Sequence, residues 1–487
     1  MVVREGPPVE NTKTWYSFSG ISHTYEYVVH NPSLINVRRG LVERVFCVDT
    51  GGGLARPVRP KKGQFRKLGD IGRKVGELVG YCPAMTRHEF VDSYHGLRKA
   101  TYERAMLSLD VLPLTKKDAA LKTFVKAEKI NITLKPDPAP RVIQPRDPRY
   151  NVELGRFLKP LECRLMKAID KLWGGVTAIK GYTVEHVGSL FEKDFNSYSD
   201  PCLIGLDAKR FDQHCSREAL EWEHSVYNAI FRCGRLAALL SWQLVNVGRA
   251  FCRDGFIKYT VEGCRMSGDM NTSMGNYLIM CCLLYLFKIN TRLDFKLKNC
   301  GDDCVIICNR PSMKEIYKKL PAFFLKFGYV IIMEKPVFDL ERIEFCQSRP
   351  VYTSRGYVMV RRPDVCLTKD LCVVKGKMNK VELAEWLSAQ RGGLALYGDV
   401  PILGAFYDRF PLGNTGKFTS ELVAPHKFRA GKPCGEILPS HRYSFWLAFG
   451  ITPDEQIAVE RQLSDWTPTT RDGQVDVSPS ILDFCSR

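Results

Sequence analysis

Phe295-Lys-Leu-Lys-Asn-Cys-Gly-Asp-Asp-Cys-Val-Ile-Ile-Cys308 reads as two strands folded about Gly301-Asp302-Asp303, since both flanks are apolar or β-favouring and the centre carries turn chemistry. The strand after the turn, Cys304–Cys308, is apolar enough to be buried, which anchors both aspartates at the edge of a core. Upstream, the apolar run Cys202–Asp207 predicts a strand that also ends on a carboxylate, followed by a helix over about Arg217–Phe231. Phe256–Val261 is strand-like, and helices are expected from about Asn271 to Phe287 and over Met313–Phe327. Further out, Glu43–Val48 reads as a strand, and Thr101–Leu109, Lys116–Lys129 and Val152–Leu172 read as helices. Ile130–Arg149 is a basic, Pro-punctuated extended segment, and helices dominate from about Lys375. The fold class is therefore α/β, in the α+β sense, with an antiparallel central sheet and helical flanks.

The 487 residues are 45 % hydrophobic and 25 % charged, which excludes wholesale disorder and fibrous repeats. The longest strongly apolar stretch, Leu278–Phe287, is short of a bilayer span, and no signal peptide is expected at the start. Lys and Arg outnumber Asp and Glu by 71 to 53, a formal charge of +18. Most of that excess lies in residues 1–180, with 32 basic and 18 acidic side chains. The densest run, Arg56 to Lys74, holds eight cations and one acid, and with Arg98-Lys99 it suits contact with a polyphosphate. The 18 cysteines form no C-x-x-C pair and lie largely in apolar runs, so free thiols in a reducing compartment are expected.

Three pieces of the middle third carry acid or polar chemistry. Asp207-Ala-Lys-Arg-Phe-Asp212 closes a strand; Ser267-Gly268 precedes Thr272 and Asn276, which share one helix face; Gly301-Asp302-Asp303 tips a hairpin. Each piece alone is an ordinary solvent-facing acid pair, polar helix face or tight turn. Together, with every carboxylate on an element that can aim it, they make a hard oxygen site suited to Mg²⁺. Two such ions serve in-line phosphoryl displacement.

In this order the pieces resemble the motifs of viral RNA-dependent RNA polymerases. Met266-Ser-Gly-Asp-Met-Asn-Thr-Ser-Met-Gly-Asn276 looks like the tombusvirus family, its carmovirus-like members especially. Lys126-Ala-Glu-Lys129 with Pro140-Arg-Val-Ile-Gln-Pro145, Phe327-Gly-Tyr…Glu334-Lys335 leading to Ile343-Glu-Phe-Cys-Gln347, and Ala448–Gln456 match as well. The resemblance implies a right-hand enzyme: N-terminal region and fingertips over 1–100, fingers over 101–200, palm over 201–345 with a fingers insertion around 216–260, and thumb over 346–487. It implies that Asp207, Asp302 and Asp303 bind Mg²⁺ or Mn²⁺, and that Asp212, Thr272 and Asn276 read the ribose 2′-hydroxyl. Ser267 and Gly268 would form a loop positioning template and nucleotide, and Arg141 would hold the triphosphate. Lys126 and Lys129 would line the nucleotide channel, with Lys335 as general acid toward pyrophosphate. Lys209, Arg210 and His214 are expected near phosphates or at the surface.

The activity so implied is two-metal nucleotidyl transfer from nucleoside triphosphates onto an RNA 3′ end, copying a positive-strand genome. RNA template and product are the expected partners, with a viral membrane-targeting protein and host factors. The expected location is membrane-associated replication complexes in the host cytoplasm. Family replicases commonly carry an upstream membrane-targeting region, so this chain is expected to be the polymerase portion or to rely on a separate protein. Two alternatives stand: a reverse transcriptase with the same motifs, disfavoured by Asp212 and Asn276, and a non-catalytic basic RNA-binding scaffold. A P-loop motor is disfavoured because no G-x₄-G-K-[ST] occurs. The aromatics Trp386, Tyr397, Phe406, Tyr407, Trp446 and Phe449 are expected to pack a helical core.

Overall fold

The structure, a computed structural model, describes residues 1–7, 15–17, 25, 27–374, 380–411, 436–466 and 468. Eight strands form its two larger sheets: β1 (Val2–Glu5), β2 (Leu121–Lys122), β3 (Pro201–Ala208), β4 (Val245–Cys252), β5 (Gly255–Glu262), β6 (Lys296–Cys300), β7 (Asp303–Asn309) and β8 (Ile331–Met333). The central sheet runs β6-β7-β3-β8, all antiparallel; the outer sheet runs β1-β5-β4-β2.

The central sheet is built as its sequence requires. β3 and β7 are continuous apolar runs buried on both faces, which only a sheet covered by helices tolerates. One face is covered by the helices Pro148–Trp173 and Thr272–Thr291, the other by the helix Val184–Phe195, whose Val187, Leu190 and Phe191 pack with Leu203, Val305 and Ile307. Thr272–Thr291 is long and apolar enough to cross a membrane by length and composition, a longer apolar helix than Leu278–Phe287 alone implied. Here 72 % of its most apolar window is buried inside the protein, as expected of a helix apolar on nearly every side. A second core joins Trp386, Tyr397, Phe406 and Tyr407 with Phe445 and Trp466, so those aromatics pack as expected. Trp446 departs from this: it is 38 % exposed, leaning on Tyr443.

Two local expectations are corrected. Glu43–Val48 is no strand: Val42–Phe46 continues the helix Leu34–Leu41 as a wider π turn, burying Val45. Lys116–Lys129 is no helix. It is a 3₁₀ turn (Lys116–Ala119) followed by β2 and the strand Phe124–Val125, because Leu121 and Val125 are buried against the outer sheet's core. The strand Val245–Cys252, unread in the sequence, alternates exposed and buried residues along its length. The described cysteines are all free thiols, Cys202 and Cys308 lying 3.5 Å apart between paired strands. The parts of 1–100 and 346–487 at 8–14, 18–24, 26, 375–379, 412–435, 467 and 469–487 lie outside the described residues.

Candidate active site

Asp207 and Asp303 are direct cross-strand partners where β3 meets β7. The strands that carry them are 96 residues apart in sequence, and the pairing register alone brings the acids together. Cys300 pairs with Asp303 across β6 and β7, leaving Gly301-Asp302 as a two-residue turn. Gly301 has φ +85°, the left-handed backbone a tight hairpin needs at its first central position. Buried Asn299 braces the tip: its Nδ2 donates to the Gly301 carbonyl (2.7 Å) and its Oδ1 accepts from the Gly301 N–H (3.0 Å). Cys346 and Gln347, both at positive φ, form a strained turn that gives the Cys346 N–H to Asp303 Oδ2 at 2.8 Å.

Asp302 opens into a cleft yet is walled in by protein, and this enclosure pushes its pKa up to about 6, with the charge of Asp212 and then those of Asp303 and Asp207 adding. Asp303 is raised too, by burial and by Asp207 and Glu344, against the Cys346 hydrogen bond. Glu334, whose N–H donates to the Gly205 carbonyl on β3, is raised by burial and by Glu344, Asp303 and Asp207. These acids therefore repel one another. Among the described residues no three or more such side chains converge as a finished metal site. The donor set nevertheless fits a divalent cation, which would relieve this repulsion and is bound by oxygen ligands.

Asp212 sits on the one-turn helix Phe211–His214 and is held through both of its oxygens. Its Oδ2 accepts from Ser267 Oγ (2.8 Å) and its Oδ1 from Asn276 Nδ2 (2.7 Å). Asn276 Oδ1 in turn accepts from Arg265 Nε at 3.0 Å. Arg265 and Glu223 form a buried ion pair beneath, with Asn271 Nδ2 and Tyr227 Oη also donating to Glu223. Thr272 does not share in this cluster. Its hydroxyl donates to the Met266 and Asp269 carbonyls (2.9 Å each), so it closes the loop.

That loop is clamped to the basic segment. Gln144 N–H donates to the Ser267 carbonyl (2.6 Å), and Arg146 Nε meets Asp269 Oδ1 at 2.5 Å in a fully buried pair. Gly268 has φ +128°, and a Cβ there would lie 2.9 Å from Pro145 N. Gly268→Ala is therefore expected to cost about 1–2 kcal/mol and to displace the loop. Thermal melting and single-nucleotide addition on that variant check this, with addition expected to fall about tenfold or more, since a misplacement of about 1 Å costs about 10²-fold.

The cleft also carries cations: Arg44, Arg141 and Arg210 line it together with Asp212, Ser267 and Asp302. Burial, with the charges of Arg210 and Arg141 acting in the same direction, lowers the Arg44 pKa to about 10. Cations that crowd one another this way favour an anion between them. Lys126 is held beside Arg141 by the pairing of Phe124–Val125 with Val142–Ile143, and both reach Glu128 Oε2, at 3.0 and 3.4 Å.

Two expected residues lie elsewhere. Lys129 Nζ donates to the Lys369 carbonyl at 2.7 Å, tying this segment to the helix Pro363–Lys369 rather than lining the cleft, and burial lowers its pKa. Lys335 is exposed beyond β8 and is not among the cleft residues. Arg44, Arg210, Glu128, Glu334 and Arg265 were given no firm role from sequence. Arg210 stands inside the stretch Asp207–Asp212, where it is expected near phosphates or at the surface, and Glu128 and Glu334 stand inside other motif-bearing stretches, where their spacing to Arg141 and Asp303 could have flagged them.

Comparison with known proteins agrees with this geometry. The family model described as viral RNA dependent RNA polymerase matches residues 1–471. The RNA-directed RNA polymerase of Pothos latent virus (isolate Pigeonpea/India) is 65 % identical over 488 residues, covering 100 % of this chain and 66 % of the relative. Those of Cymbidium ringspot virus and Tomato bushy stunt virus (strain Cherry) are each 45 % identical over 489 residues, covering 99 % of this chain and 60 % of the relative. The chain belongs to the viral RNA-dependent RNA polymerase family, among the tombusvirus relatives its motifs resemble. It spans between 60 % and 66 % of the length of these relatives.

Proposed function

We propose that this chain performs RNA-templated nucleotidyl transfer for a positive-strand plant virus, with the central sheet as palm, the outer sheet and basic segment as fingers and the second core as thumb. The observation that carries the reading is the cleft itself: Asp302, in the turn beside the paired Asp207 and Asp303, lines one pocket with three arginines and with Asp212 and Ser267, and Asn276 holds Asp212 from behind.

Asp207, Asp302 and Asp303 would hold Mg²⁺ or Mn²⁺. When bound, such ions lower the pKa of an attacking hydroxyl and neutralise charge on the leaving group. The remaining work is positioning, which phosphoryl transfer chiefly demands. Arg44, Arg141 and Arg210 receive the triphosphate; guanidinium forks suit its oxygens and their crowding is relieved by its charge. Lys126 adds charge beside Arg141. Ser267 and Gly268 hold the nucleotide's floor, fixed through Gln144 and Arg146.

The Asp212 carboxylate, already held by Ser267 and Asn276, keeps lone pairs for a ribose hydroxyl. A site built to bind a hydroxyl rejects the substrate lacking it. Asp212→Ala should therefore reduce the preference for ribo- over deoxyribonucleotides by more than about tenfold. Competing UTP and dTTP on the purified chain measures this; preference for dTTP by the wild type would overturn the substrate reading. Membrane association, through a targeting partner or further sequence, belongs to the same reading.

A further inference from the structure

The outward face of the outer sheet presents cations in one row and aromatics in the next. Register places Lys122, Arg249 and Lys258 side by side across β2, β4 and β5. All three are exposed; Lys122 is paired with Asp147 at 2.9 Å, while among the described residues neither Arg249 nor Lys258 has a carboxylate within 4 Å. Like charges placed directly opposite destabilise a sheet, so the row is costly unless something anionic lies on it. Two residues along, on the same face, Phe251 pairs with Phe256 and Phe256 with Arg4, whose guanidinium lies 5.5 Å from the Phe256 ring centre. Phe251 is 74 % exposed, far more than an aromatic kept for packing. Beside this row a groove of about 570 Å³ is lined by Val245, Val247 and Trp242, by Lys116 and Lys117, and by Asp118 and Asp147. The opposite face of the same strands is spent on a buried core with the helix Leu34–Leu41.

We infer that this face binds single-stranded RNA at a site separate from the catalytic cleft, phosphates on the Lys122–Arg249–Lys258 row and bases against Phe251 and Phe256. Strands lie about 4.8 Å apart and residues two apart along a strand about 7 Å, so the rows are parallel tracks at the separation of a phosphate from its base. A cation track beside aromatic rings is what sequence-tolerant strand binding uses. The inference draws on the proposed function only for the source of the strand; the cations, rings and groove stand without it.

The test uses the full chain and a labelled, unstructured 30-nucleotide RNA. The double variant Arg249→Ala with Lys258→Ala is expected to bind it about tenfold more weakly, and the slope of log affinity against log salt should fall by about 1.4, about 0.7 per lost phosphate contact. Phe251→Ala should weaken binding with the slope unchanged. Nucleotide addition at saturating template should stay at the wild-type rate for both, and melting should not drop, because the double variant removes opposed like charges. In the wild type, 4-thiouridine RNA should crosslink to the peptide holding Phe251, a readout free of any folding defect. Unchanged RNA affinity in the double variant would overturn the inference, as would loss of binding to phosphatidylserine vesicles alone, which would make the face a lipid site. An equal fall in addition rate at saturating template would also overturn it, by assigning the face to the catalytic path. A wild type that copies no RNA, with the variants still losing affinity, would sink the proposed function and leave this site standing.

Discussion

Asp302→Asn is expected to lower nucleotide incorporation by at least about 10³-fold while the protein melts no lower than the wild type. The rate loss follows from removing an oxygen ligand where a cation supplies several kcal/mol of charge stabilisation, at about 1.4 kcal/mol per tenfold. The stability half follows from the electrostatics. Burial and the charges of Asp212, Asp303 and Asp207 raise the Asp302 pKa from 3.8 to about 6, so the metal-free fold penalises the charged carboxylate relative to the unfolded chain. A carboxyl raised in the fold loses stability as pH climbs from its unfolded value through its folded one, here from about 4 through 6. The amide removes that slope. Melting curves at pH 4.5 and 7 without metal should converge for the variant relative to the wild type. A variant that melts far lower at pH 7 would contradict the repulsion argued for this acid cluster.

Glu223→Gln should be the most damaging change away from the reacting atoms. Arg265 and Glu223 are 1 % and 0 % exposed, so removing the carboxylate strands a guanidinium in the core. Breaking one side of such a pair costs about 3–5 kcal/mol, and the amide recovers only the hydrogen bonding. The damage reaches function through geometry: Arg265 holds Asn276, and Asn276 holds Asp212. Ribonucleotide preference should therefore weaken in this variant at temperatures where it remains folded. Denaturant unfolding and the UTP/dTTP competition measure the two effects. The surface pair Arg217–Glu262, open to solvent, makes a control from which little change is expected.

The central hairpin was legible because its information is local: a two-residue turn between β-favouring flanks fixes where Asp302 and Asp303 stand. Asp207 was legible as a strand-end acid, but its pairing with Asp303 needed the register, which apolar runs constrain only in three dimensions. Where tertiary burial overrode local pattern, the reading failed. Lys116–Lys129 carries a helix-like mix of Lys and Ala, yet Leu121 and Val125 are drawn into strand pairing by the core beneath. Glu43–Val48 looks β-favouring, yet burying Val45 is achieved by extending a helix. Arg44 was invisible because its role comes from Arg141 and Arg210, 97 and 166 residues downstream. Lys129 was misread for the converse reason: a cation in a motif was assigned to the cleft, whereas its ammonium meets a carbonyl 240 residues away.

The most direct measurement is template-directed incorporation by the purified chain, using a defined RNA, four nucleoside triphosphates with one labelled, and Mg²⁺ present or chelated. The account predicts product complementary to the template, dependent on the cation and missing with Asp302→Asn. Product that forms equally well in chelator, or copying by the Asp302→Asn variant at the wild-type rate, would contradict it.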